Sequence, residues 1–218
     1  MPENINIPDF NVGDAFSFIK VKEGRIPPHQ YVLKKLKQRD LEGLSIPEDL
    51  EDHKDLHFIY KLLYAPQTLT KKDITFGPHD CDLDLGGMDI EALPEGLKVA
   101  SWLYLNDCAH LKKLPSTRSG FKVGCSLDLQ NCISLKRLPV GLSTIVLDIR
   151  GCWELKKLPN QLSVNGLYID KRSHIVKNIL KYYENEGFTI HGRGRNERYW
   201  IKKYVREVLG GRVISIHF

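Results

Sequence analysis

Leucines recur along the middle of the chain in an arrangement that returns about every 20 residues. The three clearest copies begin at Leu103, Leu127 and Leu147 and read LYLNDCAHLKKLP, LDLQNCISLKRLP and LDIRGCWELKKLP. A weaker copy, LDLGGMDIEALP, begins at Leu83, and a further opening, LYI, begins at Leu167, so the starts are 20, 24, 20 and 20 residues apart. Self-similarity at this period predicts a solenoid in which each repeat packs on its neighbours.

Each copy opens with two apolar residues that are separated by one other residue. These pairs are Leu103 and Leu105, Leu127 and Leu129, Leu147 and Ile149, and Leu167 and Ile169. A period of two is typical of a short strand that buries one face, so we predict a stack of parallel strands. Cys108, Cys132 or Cys152 then follows, and two more leucines and a proline complete the copy. We expect the apolar positions to form one continuous core and the proline to end each turn.

This repeated phrase resembles the repeats of leucine-rich repeat proteins. The short copies that end in LP are most similar to the bacterial type, a class that includes effectors secreted into host cells. The resemblance covers about residues 82–170 and implies an α/β solenoid with a parallel sheet on its concave side. Many bacterial effectors of this kind carry a ubiquitin-ligase domain with a catalytic cysteine after the repeats. Only 48 residues follow residue 170 in this chain and none is cysteine, so this activity is not carried over.

The pattern divides the chain into three regions. We predict an N-terminal cap of mixed helix and strand over residues 1–72, the repeats over residues 73–170, and a C-terminal β/α cap over residues 171–218. The segments expected in the N-terminal region are a strand at Phe16–Val21, a helix from Pro27 to about Lys37 and a second helix at His57–Tyr64. The charged stretch IPEDLEDHKD, between the two predicted helices, either lies on the surface or is a docking segment.

In the C-terminal region we expect strands at about the same spacing as in the repeats, now alternating with helices. The expected elements are a helix capped by Ser173 and running to Glu186, a strand at Phe188–Ile190, a helix capped by Asn196 and ended by Gly210 and Gly211, and a strand at Val213–Ile216. Trp200, Ile201, Tyr204, Val205, Val208 and Leu209 form the apolar stripe of the second helix. We expect both β/α units to continue the parallel sheet; a small separate α/β domain is the alternative.

Composition fits a compact protein that lies in the cytoplasm. The chain has 218 residues, of which 42% are hydrophobic, and a net charge of +5. No apolar run has membrane-spanning length, and the first residues lack the basic and apolar regions of a secretory signal. The five cysteines are an odd number, which favours free thiols over a disulfide framework. A secretion route that uses no such signal leaves no trace in the sequence, so delivery into a host cell stays open.

Function is expected at the positions between the buried leucines. In a stacked parallel sheet these residues form rows on the concave side, with strands about 4.8 Å apart. The central row is Asp84, Tyr104, Asp128, Asp148 and Tyr168, between Asp82, Trp102, Ser126, Val146 and Gly166 on one side and Gly86, Asn106, Gln130, Arg150 and Asp170 on the other. The residues that we predict to bind a partner are Trp102, Tyr104, Asp128, Asp148, Arg150 and Tyr168. The alternative is that they are ordinary polar covering of a sheet.

We therefore predict a non-enzymatic protein–protein interaction module whose partner has a basic or mixed surface. No cofactor and no metal site is expected, since the run His79, Asp80, Cys81, Asp82 has no second cluster with zinc spacing. A host-delivered effector is one alternative. Nucleic-acid binding through Arg193, Arg195 and Arg198 is another, although the neighbouring aromatics have the spacing of a helix core. The basic pairs Lys112–Lys113, Lys136–Arg137 and Lys156–Lys157 are read as a solvated flank of the repeats.

Overall fold

Consecutive repeats place their strands side by side and parallel, which builds an α/β protein in the form of a β-solenoid. The computed structural model describes residues 54–64, 66–77, 80, 82–116, 120–188 and 195–218. Within these residues the helices are α1 Lys54–Tyr64, α2 His174–Asn185 and α3 Arg195–Glu207, with a 3₁₀ turn at Pro66–Thr68. The strands are β1 Thr75–Phe76, β2 Leu83–Asp84, β3 Lys98–Val99, β4 Leu103–Tyr104, β5 Ser126–Asp128, β6 Ser143–Asp148, β7 Ser163–Tyr168 and β8 Arg212–His217.

The first apolar residue of each repeat aligns with its equivalent in the next repeat. The six-stranded sheet has the order β2-β4-β5-β6-β7-β8, and every neighbouring pair is parallel. The aligned residues are Leu83, Leu103, Leu127, Leu147, Leu167 and Ile216, all of them buried. The predicted stack of parallel strands is confirmed.

A second, shorter run of strands lies upstream of the first in every repeat and was not predicted from the sequence. β1 pairs with β3, and isolated bridges join Val99 to Val123 and Lys122 to Ser143. From β6 onward the two runs fuse into single strands of six residues. In β6 both Ile145 and Val146 are at least partly exposed between two buried residues, so the in-out alternation breaks and the strand turns a corner there.

The core is continuous from α1 to β8. The later leucines of the three clearest repeats are all buried: Leu111, Leu114, Leu135, Leu138, Leu155 and Leu158. α1 closes one end, where the rings of Phe58 and Phe76 meet edge to face at 5.5 Å. The helix predicted at His57–Tyr64 is confirmed, beginning three residues earlier than expected. The strand predicted at Phe16–Val21 and the helix predicted from Pro27 lie outside the described residues.

The cysteines of the repeats form a buried column. The Sγ atoms of Cys108, Cys132 and Cys152 each lie 3.1 Å from a carbonyl oxygen of the preceding repeat, to which the thiol donates. Burial raises the pKa of Cys108 and of Cys152 to about 12, and raises the pKa of Cys132 as well. The expectation of free thiols is confirmed for these three and for Cys125, while Cys81 lies outside the described residues.

The C-terminal elements agree with the sequence prediction at the first helix and differ beyond it. Ser173 caps α2, its Oγ accepting a hydrogen bond of 3.3 Å from the N–H of Val176. Two expectations for the residues that follow are wrong. α3 begins before Asn196, so Asn196 lies inside the helix instead of capping it. β8 pairs directly with β7, so no strand at Phe188–Ile190 stands between them.

The position of Phe188 has a physical explanation. Its ring lies 5.7 Å from the ring of Tyr183 and 5.4 Å from the ring of Trp200, measured between centroids. The apolar residue that was expected in a strand is therefore packed on the two helices. Thr189 and Ile190 lie outside the described residues. Among the helices that the structure describes, none is both long and apolar enough to cross a membrane.

A core cavity should weaken the whole solenoid. Leu129 is completely buried, so we expect Leu129→Ala to lower the free energy of unfolding by about 2–5 kcal/mol through lost packing and a residual cavity. Chemical denaturation monitored by circular dichroism measures this loss. Ile133→Ala is the control, because Ile133 is 46% exposed and its truncation should cost well under half as much. Equal losses in the two variants would contradict the burial of Leu129.

The thiols should differ in reactivity. We expect iodoacetamide to modify Cys125, which is partly exposed, in the folded protein and to leave Cys108, Cys132 and Cys152 unmodified. Burial and a raised pKa both keep the latter three as unreactive thiols. Mass spectrometry of proteolytic peptides locates the modified residues, and the same reaction in guanidinium chloride is the control in which every cysteine should react.

Candidate functional site

The structure aligns the predicted central row and adds one residue to it. Asp84, Tyr104, Asp128, Asp148 and Tyr168 occupy matching positions on neighbouring strands, and the row continues to His217 on β8. We call this surface the acidic–aromatic face. His217 was not predicted from the sequence, although Ile216 before it fills the place of the strand leucines. That match was the signal that could have identified the sixth member.

The aspartates of the row also close the turns that follow their strands. The Oδ1 atom of Asp128 accepts a hydrogen bond of 2.9 Å from the N–H of Gln130, and Asp148 accepts one of 3.0 Å from the N–H of Arg150. Asp84 does the same for Gly86 at 2.9 Å. An aspartate side chain that bonds the backbone two residues on is a common turn device. Local structure therefore accounts for part of the acidity of the row.

One end of the face carries a connected group of side chains. The Arg150 guanidinium pairs with the Asp148 carboxylate, with Nε 3.0 and 3.1 Å from the two oxygens and Nη2 2.5 Å from Oδ2. Its Cζ lies 5.3 Å from the centre of the Tyr168 ring, which stacks on the His217 ring at 4.5 Å. The hydrogen bond with Asp148 raises the pKa of Arg150. These contacts hold four side chains in one arrangement.

The other end of the face carries a stacked aromatic pair. The rings of Trp102 and Tyr104 are 5.8 Å apart and nearly parallel, at 17°. Trp102 is 41% exposed, and its backbone N–H donates to Asp82 Oδ1 at 3.2 Å. Partial burial, followed by the charges of Asp82, Asp128 and Asp84, raises the pKa of Tyr104. The Tyr104 hydroxyl is therefore neutral near pH 7 and able to act as donor and acceptor.

Asp128 lies between these two groups on β5. Burial and the neighbouring Asp148 carboxylate raise its pKa, against the hydrogen bond from Gln130 and the charge of Arg150, which act in the opposite direction. A carboxylate with a raised pKa is a place where an added positive charge is favourable. The structure thus brings all six predicted residues onto one face, with a local excess of negative charge near its middle.

The residues of the two rows beside the central row differ in solvent exposure. In the row that contains Trp102, Ser126 and Gly166 are buried and Val146 is only partly exposed. On the opposite side, Asp170 Oδ2 accepts a hydrogen bond of 2.6 Å from the N–H of Gly151. Trp102, at 41% exposure, is therefore accessible beside neighbours in its row that are largely covered.

The basic features of the sequence fall on other surfaces. The six cations of the repeats are all exposed, and Lys112 pairs with Glu91 at 2.9 Å. The apolar stripe predicted for the second C-terminal helix is largely confirmed by burial of Trp200, Ile201, Val205 and Leu209, although Leu209 follows the end of α3 at Glu207. Val208 is 41% exposed and was wrongly included. Lys203 lies over the rings of Trp200 and Phe188, at 5.2 and 4.4 Å. The segment His191–Gly194 lies outside the described residues.

Two residues of the run His79–Asp82 have ordinary partners within the chain. Asp80 pairs with Lys54 at 2.6 Å, and Asp82 accepts from the Ser101 hydroxyl at 2.6 Å, while His79 and Cys81 lie outside the described residues. Cys108 belongs to the buried column. Across the part of the chain that the structure describes, no three His, Cys, Asp or Glu side chains are grouped so that they would hold a metal ion.

The structure also contains a groove of about 790 Å³ that was not predicted from the sequence. It runs along the upstream strand segments, from β1 past Lys98 and Lys122 to β7. We call it the basic groove. No sequence signal pointed to it, because it depends on the second run of strands and their corner.

No protein-family model matches this chain, and comparisons with curated proteins and with solved structures also give no match. Function is therefore inferred from the arrangement of side chains on the acidic–aromatic face and in the basic groove.

The raised pKa of Asp128 leads to a stability prediction. The folded chain binds a proton at Asp128 more readily than the unfolded chain, so the charged form is disfavoured by folding at neutral pH. We expect Asp128→Asn, which keeps an oxygen acceptor for the Gln130 N–H, to be more stable than the wild type at pH 7. This advantage should shrink as the pH falls through the raised pKa, because the wild-type carboxyl then becomes neutral too. Urea unfolding at several pH values measures the difference.

Asp128→Ala is the matched control for this test. It removes the acceptor as well as the charge and should lose about 0.5–1.5 kcal/mol relative to Asp128→Asn at every pH. If Asp128→Asn were less stable than the wild type at pH 7, the charge of Asp128 would be stabilising and the expected direction would be wrong.

Proposed function

We propose that this chain is a leucine-rich repeat protein, without catalytic activity, that binds a protein partner on its acidic–aromatic face. In the proposed fold this face is the concave side of the solenoid. The observation that carries the proposal is the alignment of the Trp102–Tyr104 stack, Asp128 and the Asp148–Arg150–Tyr168 group on one exposed sheet face.

The aromatic side chains are suited to anchor a partner. Tyrosine and tryptophan contribute large contact areas with few rotatable bonds, so little entropy is lost on binding. Trp102 and Tyr104 are already stacked on each other, and Tyr168 is held between Arg150 and His217. Side chains that are positioned before binding reduce the free-energy cost of association.

The charges favour a partner segment that presents a lysine or arginine. Asp128 has a raised pKa between Tyr104 and Asp148, so an incoming cation near its carboxylate would relieve an existing repulsion. The Arg150 charge is largely compensated by its two-oxygen pairing with Asp148, which leaves Asp128 as the acidic group that a partner would neutralise. This supports the expectation of a basic or mixed partner surface.

The division of the chain into caps and repeats, the cytoplasmic location and the delivery into a host cell stay predictions. Nucleic-acid binding at the C-terminal end receives less support than the protein interface. Arg198 lies 5.3 Å from the Phe218 ring centre and Lys203 lies over aromatic rings, so these cations already have partners within the chain.

Affinity capture with a double variant tests the proposed face. Tyr104→Ala combined with Asp128→Asn removes one anchor and the central charge while keeping the acceptor for the Gln130 N–H. We expect a protein captured from nuclease-treated cell extract by the wild type to be reduced at least tenfold with the double variant, because hot-spot residues dominate such interfaces. Quantitative mass spectrometry measures recovery.

Trp153→Ala combined with Glu154→Gln is the matched control. It makes the same kinds of change at two exposed neighbours outside the face, and it should leave recovery unchanged. Both double variants are first compared with the wild type by thermal unfolding. Equal recovery with the face variant and the wild type, or equal loss with both variants, would contradict the proposed face.

A further inference from the structure

The basic groove has a charge opposite to that of the acidic–aromatic face. Of the described residues that line it, only Lys98 and Lys122 are charged. Since Val99 aligns with Val123, the two lysines project from neighbouring strand segments. Both are exposed, and neither has an ion pair within the described part of the chain. The groove therefore presents two uncompensated positive charges side by side.

A third cation extends the same row. Lys122 aligns with Ser143, Ser143 with Ser163, and Ser163 with Arg212, so that two hydroxyl-bearing residues separate Arg212 from Lys122. Strands are about 4.8 Å apart, which puts the backbones at Lys122 and Arg212 roughly 14 Å from each other. The Arg212 side chain is exposed.

Apolar surface lies beside the row of cations. Ile145 lines the groove and is 47% exposed, and Ile214 is exposed to a similar degree beyond Asn165. On the side of the lysines the lining is made of small residues, since Ala100 and Gly124 occupy the positions two residues after Lys98 and Lys122. A Cβ on Gly124 would collide with the carbonyl oxygen of Ala100, so glycine is required where these two backbones approach closely.

From these features we propose that the basic groove binds an extended acidic segment of a protein, at a site separate from the acidic–aromatic face. An extended chain advances about 3.3 Å per residue and points alternate side chains to the same side. A separation of roughly 14 Å then matches residues i and i+4. The segment that fits carries a carboxylate near Lys122, an apolar side chain near Ile145 at i+2, and a second carboxylate near Arg212 at i+4.

Polypeptide fits this groove better than nucleic acid does. Single-stranded nucleic acid is held by aromatic rings on which bases stack, in addition to a track of cations. The two aromatic residues of the lining, Phe76 and Phe121, are buried in the core and offer no exposed ring. The exposed isoleucines and the small number of cations instead match an alternating acidic and apolar peptide.

The test uses the full chain labelled with ¹⁵N and the peptide Ac-SETLTES-NH2, titrated at low salt and followed by NMR. We expect shift changes at residues of the groove and an affinity at least about tenfold higher than for Ac-SQTLTQS-NH2, in which both carboxylates are removed. Lys122→Glu combined with Arg212→Glu, which reverses the two cations assigned to the carboxylates, should lower the affinity for the acidic peptide by at least as much. Raising the salt concentration should weaken binding, because the charges are exposed.

Lys136→Glu combined with Lys157→Glu is the matched control, since it reverses two exposed lysines outside the groove and should not change the affinity. Equal binding of the two peptides, equal loss in the two double variants, or shift changes elsewhere on the protein would overturn the proposal. Tighter binding of a seven-residue oligouridylate at the same residues would overturn it in favour of nucleic acid. None of these outcomes depends on the acidic–aromatic face, whose variants leave Lys122 and Arg212 in place.

Discussion

The backbone hydrogen bonds between consecutive repeats determine the positions of everything else in this molecule. The N–H of Leu105 donates to the carbonyl of Asp128, that of Leu129 to Asp148, and that of Ile149 to Tyr168, at 2.8–2.9 Å. Each bond sets one repeat in register with the next, so that inward residues meet inward residues along the whole stack. A slip by one residue would expose the leucines and bury the aspartates. The rows on both surfaces follow from this register.

The same register explains which parts of the fold were predictable from the sequence. Leucines at fixed spacing identified the strands of the main sheet and the core, because each had to bury a side chain at the same place. The upstream strands carry only one inward residue per repeat, and its distance from the strand leucine varies: Val99 and Val123 precede it by four residues, but Thr144 by three. A single apolar position with variable spacing gives too weak a pattern to recognise. The strand predicted at Phe188–Ile190 has no place in the sheet between β7 and β8, and an apolar residue such as Phe188 fits a helix surface as well as it fits a strand.

The sequence predicted which residues share the acidic–aromatic face but not how their side chains interact. Register alone placed Tyr104, Asp128 and Asp148 in one row. The pairing of Arg150 with Asp148 depends on a side-chain conformation, and the stacking of Tyr168 on His217 depends on a strand 49 residues away in sequence. The sequence also did not predict that the aspartates accept hydrogen bonds from the turns. An aspartate after a strand leucine looks the same in the sequence whether its side chain closes a turn or binds a partner. The geometry supports both roles at Asp128, where the turn uses one oxygen, whereas both oxygens of Asp148 are bonded to Arg150.

The corner at Ile145 and Val146 divides the solenoid into two parts that differ in the continuity of their strands. In the C-terminal repeats, β6, β7 and β8 pass through the corner as unbroken strands, so backbone bonds join neighbouring repeats on both sides of it. In the N-terminal repeats, two-residue strands such as β3 and β4 are separated by the residues of the corner. In both parts backbone hydrogen bonds join neighbouring repeats on the two sides of the corner, for example from Ala100 N–H to Phe76 and from Leu85 N–H to Tyr104. Each repeat thus contributes one position to each of two rows, as Lys98 and Tyr104 do in one repeat and Arg212 and His217 in another, so the same stack of strands holds both surfaces in place.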